Sequence, residues 1–207
     1  MRLALFGGTF DPIHNAHLTV ARAAAGRFGL DRVLFVPSAH PPHKAGVTHA
    51  PYQDRVRMAE LACAGDARFE VSRLEEGAQR SYSIDTIEKV RARMAAGDEL
   101  FFLIGADAFA EIRTWHRWRD VARAVCFLVA SRPGHRYRVP ALLRTERLDG
   151  VGLAVSSSAI RRALANGERP PEVPECVLEY ICKNKLYTWP QATEGVSGRS
   201  GCERRQV

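Results

Sequence analysis

The 207 residues include 30 Lys and Arg against 23 Asp and Glu, a formal net charge of +7, and 46% of them are hydrophobic. This composition suits one globular domain with a sizeable core, and no apolar run is as long as a membrane-spanning helix or, at the N-terminus, a secretory signal. The basic residues are scattered among acidic ones without a Lys/Arg run of five or more, which favours a solvated basic surface or a site for small polyanions over a nucleic-acid interface.

The first third of the chain alternates between apolar runs and helical patterns. The run Arg2–Phe6 predicts a buried strand that ends at a glycine pair. The alanine-rich stretch Leu18–Arg27 predicts a helix. Three further elements follow in order: a strand over Arg32–Val36, a loop over 38–50 that is rich in Pro and His, and a helix over Tyr52–Cys63.

The rest of the chain continues this alternation. The predicted strands are Phe69–Ser72, Leu100–Ile104, Val125–Ala130 and Val151–Val155, and the predicted helices are Ile84–Ala96, Ser157–Asn166 and Val173–Asn184. Apolar strands that alternate with helices are typical of a parallel sheet covered on both faces. With right-handed crossovers, the predicted fold class is α/β with a doubly wound, mainly parallel sheet. We expect one domain over 1–187 and a disordered, polar tail over 188–207.

The segment FGGTFDPIHNAHL, between the first strand and the first helix, is the strongest candidate for a binding site. Ligands of open parallel sheets bind beyond the carboxyl ends of the strands. Gly7 and Gly8 allow a sharp turn and a close approach to a ligand, and the helix N-terminus that follows favours phosphate. Neither G-x-x-x-x-G-K-[ST] nor G-x-G-x-x-G is present.

His14 and His17 take the place of those phosphate-binding patterns. An imidazole can donate a hydrogen bond to a phosphate oxygen, and a helix N-terminus disfavours the protonated ring, so we expect His17 to be neutral. Two other interpretations remain open. Both histidines could be structural, or they could bind a metal ion, although no obvious third ligand accompanies them and zinc sites usually take three protein ligands or more.

GGTFDPIHNAHL resembles the G-G-T-F-D-P-x-H-x-G-H signature of bacterial nicotinate-nucleotide adenylyltransferases, with Ala16 where the signature has glycine. These enzymes belong to the H-x-G-H nucleotidyltransferases. Five further segments resemble the same family in the same order: PSAHPPHK, SYSIDTI, IGADAFAEIRTWHRW, VSSSAIR and VPECVLEYICKNKLY. The resemblance extends over about residues 1–187 and implies a Rossmann-like nucleotidyltransferase fold.

The resemblance implies an enzyme of NAD biosynthesis that joins ATP to nicotinate mononucleotide and releases deamido-NAD and pyrophosphate. The mononucleotide phosphate attacks the ATP α-phosphorus in line, without a covalent intermediate. No general base is needed, because a phosphate monoester has its second pKa at about 6 and is largely dianionic near pH 7. Catalysis then consists of positioning and charge stabilisation. We expect Mg²⁺ to arrive with the ATP phosphates, because no acidic cluster suggests a dedicated cation site.

By resemblance, three groups of residues form the site. Those that act on the reacting phosphates are His14, His17, Lys44 and Arg161. Those that bind ATP are Gly7, Gly8, Thr9, Phe10, His17, Ile104, Gly105, Asp107, Arg132, Ser156, Ser157, Ser158 and Arg161. Those that bind nicotinate mononucleotide are Gly8, Thr9, Lys44, Tyr82, Thr86 and Trp115. Trp115 would stack on the pyridine ring, and the Thr86 hydroxyl with nearby amides would bind the carboxylate.

Other functions remain open from the sequence. A related nucleotidyltransferase acting on nicotinamide mononucleotide, phosphopantetheine or a cytidylyl substrate would share the histidine segment, and a non-catalytic nucleic-acid-binding protein would share the pI near 9.5. PPHK, the D-T segment and Trp115 favour nicotinate mononucleotide. The expected partners are therefore ATP and nicotinate mononucleotide, with neither nucleic acid nor a membrane, in the cytoplasm. A homo-oligomer is compatible with the sequence.

Overall fold

The computed structural model describes residues 1–41, 48–131, 137–151 and 155–187. Within them, six strands form one sheet: β1 (Arg2–Gly8), β2 (Arg32–Pro37), β3 (Phe69–Val71), β4 (Glu99–Gly105), β5 (Cys126–Ser131) and β6 (Thr145–Asp149). The order across the sheet is β3-β2-β1-β4-β5-β6, and all neighbouring strands are parallel. The predicted doubly wound, parallel α/β class is confirmed.

Helices cover both faces of this sheet. The described residues form α1 (Asn15–Phe28), α2 (Tyr52–Cys63), α3 (Ser83–Arg91), α4 (Ala106–Ala110), α5 (Trp118–Ala124), α6 (Ser157–Ala165) and α7 (Glu175–Lys183). Side chains alternate along β1, so Ala4 and Phe6 join the core under α1, α2, α6 and α7, whereas Leu3 and Leu5 join the core under α3, α4 and α5. Because both faces are buried, the central strands are continuous apolar runs in the sequence.

Two boundaries near the candidate site differ from the sequence prediction. β1 does not end before the glycine pair, because Gly7 and Gly8 continue the ladder opposite Val36 and Pro37 of β2. α1 begins at Asn15 rather than Leu18, because His14 is its N-cap residue, with extended backbone at φ −147° and ψ 169°. The first turn of α1 therefore contains His17.

Two further elements were predicted at the wrong place. α3 ends at Arg91 rather than Ala96, because residues 92–98 turn around the Asp98 side chain, which accepts a hydrogen bond from the Ala95 amide at 2.9 Å. The sixth strand is Thr145–Asp149, an edge strand with few buried side chains and hence no apolar run in the sequence. In the predicted strand Val151–Val155, both end residues lie outside any strand, and 152–154 lie outside the described residues.

The sheet order positions the candidate site. β1 pairs with β2 on one side and with β4 on the other, so the direction of strand addition reverses between β1 and β4. In open α/β sheets ligands bind in the crevice beyond the carboxyl ends of the strands at this point, which here is formed by Gly8 and Gly105. No helix built from the described residues combines the length and apolarity needed to cross a membrane.

Candidate active site

A cavity of about 380 Å³ opens beyond the carboxyl ends of β1 and β4. The predicted site residues that line it are Gly7, Gly8, Thr9, Phe10, His17, Tyr82, Thr86, Ile104, Gly105, Trp115 and Ser157. Asp107 is exposed in the first turn of α4, two residues after the cavity residue Gly105. Lys44 and Arg132 lie outside the described residues. Some residues predicted for ATP and some predicted for nicotinate mononucleotide thus share one cavity, whereas the predicted residues His14, Ser156, Ser158 and Arg161 lie outside its lining.

The glycine segment is held against the cavity by Phe10. This residue has a left-handed backbone with φ 47°, and its buried ring packs against Phe6 and Phe35, each at a centroid distance of 5.7 Å. A Cβ atom added at Gly8 would lie 3.0 Å from the Phe10 ring. A side chain at position 8 would press on this buried ring, so glycine suits the close approach of Phe10 to the end of β1.

His17 is fixed by contacts on three sides. Its ring stacks on His14 at a centroid distance of 3.7 Å and packs edge-on against Phe10 at 5.1 Å. Its Nδ1 accepts a hydrogen bond from the His14 backbone amide at 3.2 Å. A ring nitrogen that accepts carries no proton, so His17 is a neutral ring with its proton on Nε2. This is the protonation state expected at a helix N-terminus.

His14 is also neutral, for a different reason. Its side chain is only 4% exposed, and its Nδ1 is buried with no hydrogen-bond partner among the described residues. Burial lowers the pKa of His14 from 6.5 to about 4. The stacked pair therefore consists of two uncharged rings at neutral pH. These rings can donate hydrogen bonds, but they add no positive charge to the site.

The buried His14 predicts acid-sensitive stability. Because its pKa is depressed on folding, the unfolded chain binds a proton that the folded chain does not between pH 6.5 and pH 4. The stability that the neutral ring supplies is complete above pH 6.5 and is lost as the pH falls, by about 3 kcal/mol at pH 4. Urea unfolding of wild type and His14→Phe across this range measures it. The variant should show a shallower acid slope, and His40→Gln, at an exposed position, should retain the wild-type slope.

The N-terminal turn of α6 is attached to the glycine segment. Ser156 is its N-cap residue and accepts from the Ala159 amide at 3.2 Å. The Ser157 hydroxyl donates to the Pro12 carbonyl at 3.2 Å. Arg161 donates to the Asp11 carbonyl at 2.6 Å and to the Ser158 hydroxyl at 3.2 Å. The predicted phosphate-binding turns of α1 and α6 are thus neighbours, and Arg161 is oriented by direct hydrogen bonds.

A buried polar network lies behind the glycine segment and was not predicted from the sequence. The Asp11 carboxylate accepts from the amides of His49 and Ala50, at 2.8 and 3.1 Å, and from the Tyr187 hydroxyl at 2.8 Å. Burial, followed by the charge of Asp11, raises the pKa of Tyr187, so this hydroxyl remains a donor. Asp11 therefore joins the glycine segment to the start of α2 and to the end of the described chain.

Arg55 extends this network with a fully buried guanidinium. Its Nη1 donates to the carbonyls of Thr9 and Ser38, both at 2.7 Å, and its Nε donates to the Ala50 carbonyl at 3.2 Å. One side chain on α2 thus holds three chain segments that meet under the cavity. Burial lowers the pKa of Arg55, and the charge of Asp11 opposes that effect.

Aromatic side chains form the other end of the cavity. Trp115 is half-buried and packs edge-on against Phe102 at a centroid distance of 5.7 Å. Tyr82 stacks on His116 at 4.3 Å. Tyr82 is also the N-cap residue of α3, and its side chain makes no capping hydrogen bond. The first turn of α3 therefore begins at this aromatic end without a side-chain cap.

Thr86 has a partner that the sequence did not reveal. Its hydroxyl donates to Glu75 at 2.9 Å, and the same carboxylate accepts from the Ala39 amide at 3.3 Å. The hydroxyl proton is therefore committed to Glu75, and the Thr86 oxygen can only accept hydrogen bonds from a ligand. Glu75 lies between Val71 and Ser81 in a stretch with no regular pattern, so only the folded chain shows that it is buried beside the cavity.

The metal interpretation of the histidine pair gains no support from the described residues. Nowhere within them do three His, Cys, Asp or Glu side chains lie close enough together to hold a metal ion. The stacked geometry of His14 and His17 also differs from a ligand pair, because their rings face one another rather than a common point.

Comparison with known proteins identifies the family to which this chain is similar. The model of the family described as cytidylyltransferase-like matches residues 5–163. A protein of Solibacter usitatus named as a probable nicotinate-nucleotide adenylyltransferase is 70% identical over 187 residues, which cover 90% of this chain and 100% of that protein. A protein of the same name from Thermus thermophilus is 43% identical over 189 residues, which cover 90% of this chain and 100% of that protein.

Solved structures show the same fold. Nicotinic acid mononucleotide adenylyltransferase of Plasmodium falciparum, solved in complex with NaAD, superposes with a TM-score of 0.75 over 91% of this chain and 98% of that chain, at 17% identity. The same protein in complex with APC gives a TM-score of 0.74 over the same shares of the two chains. Taken together with the 70% identity to a full-length relative, these similarities show that the chain belongs to the nicotinate-nucleotide adenylyltransferase family of cytidylyltransferase-like enzymes.

Proposed function

We propose that this chain transfers the adenylyl group of ATP to nicotinate mononucleotide, forming deamido-NAD and pyrophosphate in NAD biosynthesis. The observation that carries the proposal is the single cavity that His17 lines at one end and Trp115 at the other. A reaction between two nucleotides needs both of them held in one site with their phosphates in contact. The Plasmodium falciparum relative was solved with NaAD and with APC, which supports small nucleotide substrates here.

The phosphate end of the cavity supports in-line attack without a general base. The mononucleotide phosphate has its second pKa at about 6 and is already largely dianionic. His17, neutral and protonated on Nε2, donates to the transferring phosphate. The N-terminal turns of α1 and α6 and the Arg161 guanidinium add positive potential. These groups are oriented before substrate binds, which is how fixed donors stabilise charge that develops in a transition state.

Mg²⁺ enters this proposal as a substrate-borne ion. A hard cation of this kind commonly binds nucleotide phosphates and retains several waters, and the described residues offer no carboxylate cluster to hold it. When bound, it would neutralise phosphate charge. His17 and Arg161 would then orient the same phosphates through the protein.

The nicotinate end supports recognition of a flat ring that bears a carboxylate. Trp115, held by Phe102, can stack on the ring. The Thr86 hydroxyl donates to Glu75, so we assign carboxylate binding to the backbone amides at the start of α3, where the helix dipole also favours a negative charge. An amide in place of the carboxylate loses the charge-assisted part of these hydrogen bonds.

Several assignments stay predictions. Lys44 and Arg132 belong to this group, as do the roles of Asp107 at the ATP ribose and of Ile104 at the adenine. The oligomeric state, a cytoplasmic location and the absence of a nucleic-acid partner also stay predictions. Neither nicotinamide mononucleotide nor phosphopantetheine as substrate is favoured by a specific contact in the cavity.

Pyrophosphate release tests the proposed reaction directly. Purified protein is mixed with ATP, Mg²⁺ and either nicotinate or nicotinamide mononucleotide. We expect pyrophosphate release when ATP and nicotinate mononucleotide are both present. The kcat/KM for nicotinate mononucleotide should exceed that for nicotinamide mononucleotide by at least about tenfold, because the amide lacks a charge-assisted hydrogen bond. Equal rates with the two mononucleotides would contradict the carboxylate assignment to α3. No release with either would contradict the function.

A further inference from the structure

Glu75 gives the cavity a negative charge that the mechanism does not use. It is 7% exposed, and its carboxylate spans two walls of the cavity by accepting from Thr86 of α3 and from the Ala39 amide after β2. Among the described residues that line the cavity, Glu75 is the one acidic side chain, and neither Lys nor Arg is present. Among these described residues, the charge that a side chain fixes at this end of the cavity is therefore that of Glu75.

The neighbouring cation does not cancel this charge by direct contact. Arg55 donates its hydrogen bonds to the carbonyls of Thr9, Ser38 and Ala50 rather than to Glu75. It also interacts electrostatically with both Asp11 and Glu75. Asp11 and Glu75 thus both interact with the Arg55 guanidinium, which donates no hydrogen bond to either carboxylate.

Thr86 carries this negative potential to the cavity surface. Because its proton points to Glu75, the hydroxyl presents its oxygen lone pairs to a bound ring. In a partly buried site the effective dielectric constant is well below that of water, so charges within a few ångströms interact strongly. A ligand ring that is positively charged is stabilised here, and an uncharged ring of the same shape is not.

Nicotinate mononucleotide has such a ring. Attachment of ribose to the pyridine nitrogen makes the ring a pyridinium cation, while the carboxylate and the phosphate carry the negative charge. We propose that Glu75 is a specificity-determining residue that selects a pyridinium ring over a neutral aromatic ring of the same size. This inference rests on the proposed function, because it concerns the ring of that substrate.

A pair of isosteric ligands separates charge from shape. The probe is 3-carboxyphenyl ribotide, the C-nucleotide in which carbon replaces the ring nitrogen, compared with nicotinate mononucleotide as substrate and by competition binding. Wild type should prefer the pyridinium form by about tenfold or more. E75Q should lose about tenfold of this preference, mainly through KM, since Gln keeps the shape of Glu but not its charge. The exposed neighbour provides the control, because E76Q should keep the wild-type ratio.

The ratio of the affinities for the two ligands would not change if Glu75 had only a structural role. A loosened cavity would weaken both ligands alike, so an unchanged ratio in a folded E75Q protein overturns the proposal. The wild-type protein provides a second test that needs no variant, because a wild-type ratio near one overturns the proposal even if E75Q does not fold. Turnover of nicotinate mononucleotide with an unaltered ratio refutes the role of Glu75 alone, whereas no turnover by wild type refutes the proposed reaction.

Discussion

Substitution of His17 by Ala should lower turnover about 100- to 1,000-fold, a loss of about 3–4 kcal/mol of transition-state stabilisation, by analogy with the removal of one oxyanion donor. The ring lines the cavity, and the His14 amide fixes its tautomer by donating to Nδ1 at 3.2 Å. A donor held in this way needs no reorganisation when negative charge develops on the transferring phosphate. Ala removes the donor and leaves helix α1 intact, because Ala is the strongest helix former.

Pyrophosphate release under saturating substrates measures this loss. We expect the effect in kcat, with a smaller change in the KM for ATP, because the interaction strengthens in the transition state. His17→Gln, whose amide can also donate, should recover part of the activity. His40→Ala is the matched control, since His40 is exposed and does not line the cavity. Near-wild-type turnover of His17→Ala would refute the role of this ring.

The site residues that could be identified from the sequence are those that stand close together in a short, recognisable segment. The glycine segment could be predicted because Gly7, Gly8, His14 and His17 follow an apolar strand and precede a helix, an arrangement that determines the position of all four. The departure at Ala16 can now be explained. It is the second residue of α1 and is 8% exposed. The backbone there is helical, so an alanine methyl group is accommodated without strain.

The residues that the sequence missed depend on contacts between distant segments. Arg55 stands on a helix among other charged residues, and only the meeting of Thr9, Ser38 and Ala50 around it shows that it is buried. Glu75 is likewise one of two adjacent glutamates, and burial distinguishes it from the exposed Glu76. Local patterns carry no information on which of several similar charges will be enclosed by the fold.

The same limit explains the errors in the elements. β6 escaped prediction because an edge strand with mostly exposed side chains lacks the apolar run that identifies the central strands. The start of α1 was placed too late because His14 and His17 are not typical capping residues. Only the geometry shows that the His17 ring accepts from the N-cap amide.

Substitution of Arg55 by Met should lower the free energy of unfolding by about 3–5 kcal/mol, the effect typical of removing one partner from a buried charged network. Met fills a similar volume, so the loss comes from polar groups rather than from a cavity. The carbonyls of Thr9, Ser38 and Ala50 would each lose a donor, and a buried acceptor without a partner is destabilising. The carboxylates of Asp11 and Glu75 would also lose the cation with which they interact.

Urea unfolding of three variants separates these contributions. Arg57→Met is the control, because Arg57 lies on the same helix but is exposed and pairs with Glu60 at 3.1 Å, an interaction worth about 0–1 kcal/mol. Arg55→Lys keeps the charge but cannot reach three carbonyls with one ammonium group, so its stability should fall between those of wild type and Arg55→Met. Since Arg55 holds the Thr9 carbonyl, Arg55→Lys should also lower kcat through a displaced glycine segment. If Arg55→Met were as stable as Arg57→Met, this network would not be what holds the segment under the cavity.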